Sequence, residues 1–283
     1  MPHPPGQQFM EPYRSQRKIQ TCVGELAVTS FGTEPAGIVL WSGLFFDDAQ
    51  HRPLARLLAE LGYSVALVNP PAFGGSGVPS GTISMEACAE ALAETAASVG
   101  EGAHVFVGGT SWGGIAAIHA ALNHPAAFSG LLLLNTPVGA GSRRGMMRWI
   151  PSLLRLPSPI FVALGGASAL LGRSTLKGQD AQAYRTVIVE SLRRARYPGA
   201  ISMAKLVLHN RPDLTSRLSD LEIPSLVLCG DEDVMYPVES LRDAWRNVPN
   251  VTIAEISGTG HSSALEAPRQ TAEAILQFIS QVA

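Results

Sequence analysis

Short β-prone runs recur along the chain at residues 37–41 (GIVLW), 63–68 (YSVALV), 105–107 (VFV), 130–134 (GLLLL), 224–229 (PSLVLC) and 251–256 (VTIAEI). Helical text stands between them. In 52–61, Leu54, Leu57, Leu58 and Leu61 recur at helical spacing, and Gly62 stops the run. Residues 85–99 read as a helix ending at Gly100, and 115–124 as an Ala-rich helix. Residues 241–246 and 269–282 supply the last two. Runs 18–23 and 25–31 alternate around Gly24 and predict an opening hairpin. Strands alternating with helices predict an α/β fold with a doubly wound, mostly parallel sheet.

The alternation stops after Pro137. For some 80 residues the text is helical and loop-like, at 143–156, 163–171, 181–196 and 201–210, interrupted by Pro151, Pro157, Pro159 and Pro198. An insertion between two sheet strands that carries no strand of its own predicts a helical cap. The organisation expected is an extended or disordered tail at 1–18, a core at 19–136 and 213–283, and the cap at 137–212.

Composition narrows the reading. With 283 residues and 46% hydrophobic content, the chain can bury a sizeable core. A formal net charge of −2 argues against a nucleic-acid binder. Cys22, Cys88 and Cys229 are far apart and odd in number, with no Cys/His spacing for zinc, which fits a reducing cytoplasm. No Gly-rich phosphate loop with lysine and no metal set is found, so no cofactor is expected. The N-terminal residues lack the apolar segment of a signal peptide, and the longest apolar run, 160–172, is too short and Gly-rich to span a bilayer.

The chemistry gathers at strand ends. After the 105–107 run comes Gly109-Thr110-Ser111-Trp112-Gly113, a G-x-S-x-G between strand and helix. Such a turn needs small residues two places either side of the serine, so that strand and helix pass closely, and it lifts the Ser111 hydroxyl clear of the backbone. A serine alcohol becomes a nucleophile only with a base, and the base needs an orienting carboxylate. Gly230-Asp231-Glu232-Asp233 follows one strand and Gly258-Thr259-Gly260-His261-Ser262 the next. Loops at the carboxyl ends of strands line the site in such sheets. Ser111, Asp231 or Asp233, and His261 therefore converge. The other histidines considered, His51, His104, His119, His124 and His209, lie in helical text or at the ends of elements.

These segments, with Pro70-Pro71-Ala72-Phe73-Gly74-Gly75-Ser76-Gly77 and Ile223-Pro224, resemble the α/β-hydrolase superfamily, in its form with a helical cap, from about residue 20 to the end. The resemblance implies that Asp233, with Pro237 four residues on, is the acid. Some relatives place the acid after the preceding strand, where this chain has Asn135. It also implies an oxyanion hole from the N–H groups of Trp112 and Leu44, with Phe45 as second choice. Ser42-Gly43 stands where relatives carry His-Gly. Ser111-Trp112-Gly113-Gly114 is similar to the elbows of proline iminopeptidases and of 3-hydroxyacyl transferases of this fold. The former normally carry a His-Gly-Gly-Pro string that is missing here. Family members with aspartate at the elbow form alkyl-enzyme esters that Ser111 does not form.

The implied activity is hydrolysis of a carboxylic ester or lactone through an acyl-enzyme. The alternatives are acyl transfer or thioester cleavage on a carrier-bound acyl group, and a non-catalytic binding module on the same scaffold. Residues 137–212 hold twelve basic and two acidic residues, a formal +10. This basic face either binds the acidic core or steers an anionic or carrier-bound substrate, with Arg193, Arg194 and Arg196 as candidates at the entrance. Met146, Met147, Trp149, Ile150, Leu153 and Leu154 would then line an acyl tunnel or lie against lipid. Phe45, Met146 and Trp149 are the substrate-contact candidates.

Overall fold

The computed structural model describes residues 15–81, 83–142, 148–155 and 166–282. Its strands are β1 (Ser15–Thr21), β2 (Gly24–Phe31), β3 (Ile38–Trp41), β4 (Val65–Val68), β5 (Val105–Thr110), β6 (Phe128–Leu134), β7 (Ser225–Gly230) and β8 (Val251–Ile256). They form one eight-stranded sheet in the order β1-β2-β4-β3-β5-β6-β7-β8. The β1–β2 hairpin turns at Gly24, and β2 runs antiparallel to β4; every later pair is parallel. Strand β1 begins inside the stretch read as a tail, because Ser15 to Ile19 pair with Ser30 to Leu26.

The central strands are buried on both faces, which is why they read as continuous apolar runs. Ile38, Leu40, Val65, Leu67, Leu132 and Leu134 share one core with Leu54 and Leu58 of α1 (Arg52–Glu60). The alternate positions Val39, Trp41, Ala66, Val68, Leu131 and Leu133 share the other with Leu92 of α2 (Met85–Val99) and Ile115 of α3 (Trp112–Asn123). Leu61 leaves the predicted apolar face: α1 ends one residue earlier, and Leu61 is 59% exposed.

Between β6 and β7 the described residues contain helices and no strand. They include α4 (Ile150–Leu153), helical residues 166–170, α5 (Arg173–Lys177), α6 (Ala181–Arg193) and α7 (Tyr197–Lys205), which runs into a π-helical turn at Leu206–Asn210. Pro198 does not break this stretch. It sits in the first turn of α7, where a missing N–H costs no hydrogen bond. The sheet resumes, followed by α8 (Val238–Trp245), α9 (Ser263–Glu266) and α10 (Pro268–Val282).

The helical stretch is fastened to the core at separate points. Arg194 Nε meets Asp47 Oδ2 at 2.6 Å and Ser191 Oγ donates to Asp47 Oδ1. Arg196 N donates to Ala72 O. Glu232 accepts from Ser174 N and Oγ, and Glu266 from Gly172 N and Thr175 Oγ1. Arg194 is thus held by the core, and Arg193 pairs with Glu190 of its own helix at the surface. Among the described residues no helix is long and apolar enough to cross a membrane.

Candidate active site

Ser111 caps α3 with φ 54° and ψ −110°, a conformation an L-residue holds only when its surroundings enforce it. Those surroundings are close. A Cβ on Gly113 would stand 1.9 Å from Trp41 O, and one on Gly109 2.1 Å from the same oxygen. Only glycine lets the elbow sit against the end of β3. Ser111 N donates to Leu134 O at 2.9 Å, tying the turn to β6. Trp112 opens α3, where the first N–H groups have no partner within the helix.

Asp233 and His261 lie on the loops after β7 and β8. His261 Nδ1 is 2.7 Å from Asp233 Oδ2, and both side chains are buried. Asp231 takes another place: its Oδ1 accepts from Gly258 N and Thr259 N, bracing the loop that carries His261. The other Asp233 oxygen accepts from Met235 N and Tyr236 N at 2.9 and 3.1 Å. Burial would raise the Asp233 pKa, but the His261 ring and these donors outweigh it and hold the carboxyl below its usual value.

A narrow cleft with a volume of about 40 Å³ brings the elbow and the histidine together. Ser111, His261, Leu44 and Phe45 line it, as do Gln50, Leu208, Arg211 and Tyr236. Leu44 and Phe45 occupy a turn closed by Phe46 N to Gly43 O at 3.2 Å, with Phe45 at φ 74°. Trp149 does not line the cleft. It is 55% exposed just before α4, with the Arg148 guanidinium 4.6 Å over its ring. Met146, with Arg143, Arg144 and Met147, lies outside the described residues.

The remaining histidines have other surroundings. His51 Nε2 lies 2.8 Å from Thr110 Oγ1, and complete burial pushes its pKa down to about 3, so it stays neutral. His124 pairs with Glu90 at 2.7 Å. His119 sits within α3, its pKa lowered by burial.

Several polar residues to which the sequence assigns no role hold the site together. Asn135 Nδ2 donates to Asp233 Oδ2 (3.2 Å) and Gly260 O (2.9 Å), while its Oδ1 accepts from Ser263 Oγ (2.7 Å) and Ser263 N. Gln50 Oε1 accepts from Gly43 N at 2.7 Å, and its Nε2 reaches Ser262 Oγ at 3.4 Å. Gln50 therefore spans from the Leu44 turn to the residue after His261. Glu266 Oε1 accepts from Gly260 N and Ser262 N on either side of that histidine. Among the described residues no cluster of three or more His, Cys, Asp or Glu could hold a metal ion.

Comparison with known proteins agrees with this architecture. Residues 38–274 match the alpha/beta hydrolase family. A pimeloyl-[acyl-carrier protein] methyl ester esterase of Xanthomonas campestris pv. campestris is 28% identical over 259 residues, covering 88% of this chain and 96% of that protein. Polyketide synthase ThaQ of Burkholderia thailandensis is 29% identical over 257 residues, or 86% of this chain; the match spans only 12% of that protein's length. A thermophilic esterase from Thermogutta terrifontis superposes with a TM-score of 0.83 at 26% identity, covering 95% of this chain and 99% of that one. The enol-lactonase from Burkholderia xenovorans LB400 superposes with a TM-score of 0.83 at 17% identity, over 93% and 100% of the two chains, a likeness of fold.

Proposed function

Because this chain belongs to the alpha/beta hydrolase family, we propose that it is a serine hydrolase that cleaves a carboxylic ester or lactone through an acyl-enzyme. The observation that carries the reading is the 2.7 Å contact between His261 Nδ1 and Asp233 Oδ2, in a cleft that Ser111 also lines. Asp233 holds the Nδ1–H tautomer, which leaves Nε2 to accept the Ser111 proton as Oγ attacks the carbonyl carbon. The N–H groups of Trp112 and Leu44 stabilise the oxyanion. Nε2 then returns the proton to the leaving alkoxide. Water attacks the acyl-enzyme with His261 again as base, releasing the acid and restoring Ser111. The helical stretch at 137–212 serves as the cap over this cleft.

The test is Ser111→Ala with short p-nitrophenyl esters and a serine-directed phosphonate. The variant should lose kcat on the order of a million-fold, and mass spectrometry should find the phosphonate on Ser111 in the wild type. A variant that keeps a substantial share of wild-type kcat refutes the assignment. A second reading, action on a carrier-bound acyl group, is favoured by the relative that is a methyl ester esterase of an acyl-carrier protein conjugate and by the basic charge of 137–212. Faster turnover of acyl-carrier thioesters than of matched oxyesters would select it. Turnover of neither class would leave a binding module.

A further inference from the structure

One wall of the cleft has a chemistry that ester cleavage alone does not use. Arg211 follows the π-helical turn at Leu206–Asn210, lines the same cleft as Ser111 and His261, and is only 9% exposed. A buried guanidinium is ordinarily matched by a carboxylate, since burying an unmatched charge costs several kcal/mol. Here its partners are neutral. Nε donates to Gly139 O at 2.8 Å, and Nη1 reaches Val207 O at 3.3 Å and the Tyr236 hydroxyl oxygen at 3.2 Å.

No described acid forms a direct ion pair with it, although the exposed Asp213 carboxyl feels the Arg211 charge. Asp213 is turned to the surface and accepts from Thr215 N at 2.8 Å. Residues 143–165, part of which lie outside the described residues, contain no Asp or Glu. Two donors are therefore left over at this wall. Nη2 of Arg211 donates to no described protein atom, and it is not among the polar atoms sealed from solvent. The Tyr236 hydroxyl accepts from Arg211, so its own proton is available to another acceptor. Tyr236 also lines the cleft, its ring 5.3 Å from that of His261, and its backbone N–H holds Asp233. The rest of this wall is apolar, with Val207, Leu208 and Leu170.

We propose that Arg211 and Tyr236 form a carboxylate subsite, so that the ester cleaved at Ser111 also bears a free carboxylate. The proposal rests on the ester-hydrolase reading and names its substrate class. With Nε and Nη1 engaged by the protein, the contact is one charge-assisted bond from Nη2 backed by the phenol, rather than a two-pronged fork. An anion there supplies the direct ion pair that the fold withholds from Arg211.

The experiment compares p-nitrophenyl hemi-esters of dicarboxylic acids, from succinate to suberate, with methyl-terminated esters of equal length. A parallel pair places the carboxylate on the alcohol side. For at least one carboxylate position, kcat/KM should favour the anionic ester by roughly ten- to hundredfold. Arg211→Gln should bring that ratio to about one, Arg211→Lys should keep part of it, and Tyr236→Phe should lower it by less. Calorimetry with succinate to suberate on Ser111→Ala protein reads the subsite without turnover, and binding there should vanish in the Ser111→Ala/Arg211→Gln double variant. A wild-type ratio at or below one at every length, with no dicarboxylate bound, overturns the subsite even where esters are cleaved. Dicarboxylate binding through Arg211 without cleavage of any ester keeps the subsite and removes the ester reading. Should Arg211→Gln fail to fold, the wild-type ratio and the calorimetry of Ser111→Ala decide.

Discussion

Replacing Asn135 by alanine should destabilise the protein by about 4.5 kcal/mol. Asn135 is fully buried at the end of β6, and its backbone is in the left-handed region at φ 48°. Deleting the amide removes its two short neutral bonds, to Gly260 O at 2.9 Å and from Ser263 Oγ at 2.7 Å, at about 1 kcal/mol each. The 3.2 Å contact with the charged Asp233 carboxylate adds about 1.5 kcal/mol. Alanine in the left-handed region adds roughly 1 kcal/mol that asparagine largely avoids. At about 2–3 °C per kcal/mol for a chain of this size, the melting temperature should fall by roughly 10 °C. Urea denaturation of Asn135→Ala and Asn135→Gly measures the parts: glycine relieves the backbone strain, so it should recover about 1 kcal/mol. Asp233 loses its side-chain tether while keeping His261 and two backbone donors, so kcat should also fall, with the stability loss the larger effect. A total loss below about 1 kcal/mol, or a glycine variant no better than alanine, refutes the account of Asn135 as the bracket of this site.

Three further outcomes follow from the geometry. Asp233→Asn should lower kcat by about ten-thousandfold by presenting the wrong His261 tautomer, whereas Asp231→Asn should mainly loosen the Gly258–Thr259 turn; steady-state kinetics of both variants decide, and a larger loss in Asp231→Asn reverses the assignment. Gly113→Ala should cost roughly 3 kcal/mol or more, because its Cβ would meet Trp41 O at 1.9 Å with backbone on both sides; a thermal melt within a degree or two of wild type contradicts this. Burial, and then the neighbouring Asp47 charge, push the Asp48 pKa up to about 7. The folded state therefore retains a proton that the unfolded chain gives up near pH 4. This contribution to stability is full below about pH 4 and is lost as pH rises towards 7. The urea midpoint should decline over that window relative to Asp48→Asn. A flat difference would mean that Arg52, at 2.7 Å, keeps the carboxyl ionised throughout.

Elements defined by a local rule were legible in the sequence. The 85–99 helix matches α2 residue for residue, because its Gly100 stop is a local signal. Gly62 ends α1 at φ 91° as its position foretold. The elbow was legible for the same reason: its glycines answer to contacts within one strand–turn–helix unit and to β3 beside it. Asn135, Gln50 and Glu266 gave no such signal. Their roles rest on partners that lie mostly far away in sequence, brought near by the order of strands in the sheet, so even at Asn135, whose place after β6 the sequence marks, no periodicity or motif announces the role. Trp149 misled because a large aromatic beside prolines and leucines reads as lining, whereas here it stacks with Arg148 at the surface. Arg211 was counted only as one charge among twelve; its burial, not its charge, sets it apart.

Glu266 joins two parts of the molecule that the chain keeps apart. One of its oxygens holds the amides flanking His261, and the other holds Gly172 and Thr175 at the start of α5. Burial raises its pKa, and these donors offset part of that rise. A single carboxylate thus serves as a shared hinge pin. Without α5 in place that carboxylate would keep two of these four donors, so the seating of α5 and the placement of the histidine loop depend on one side chain.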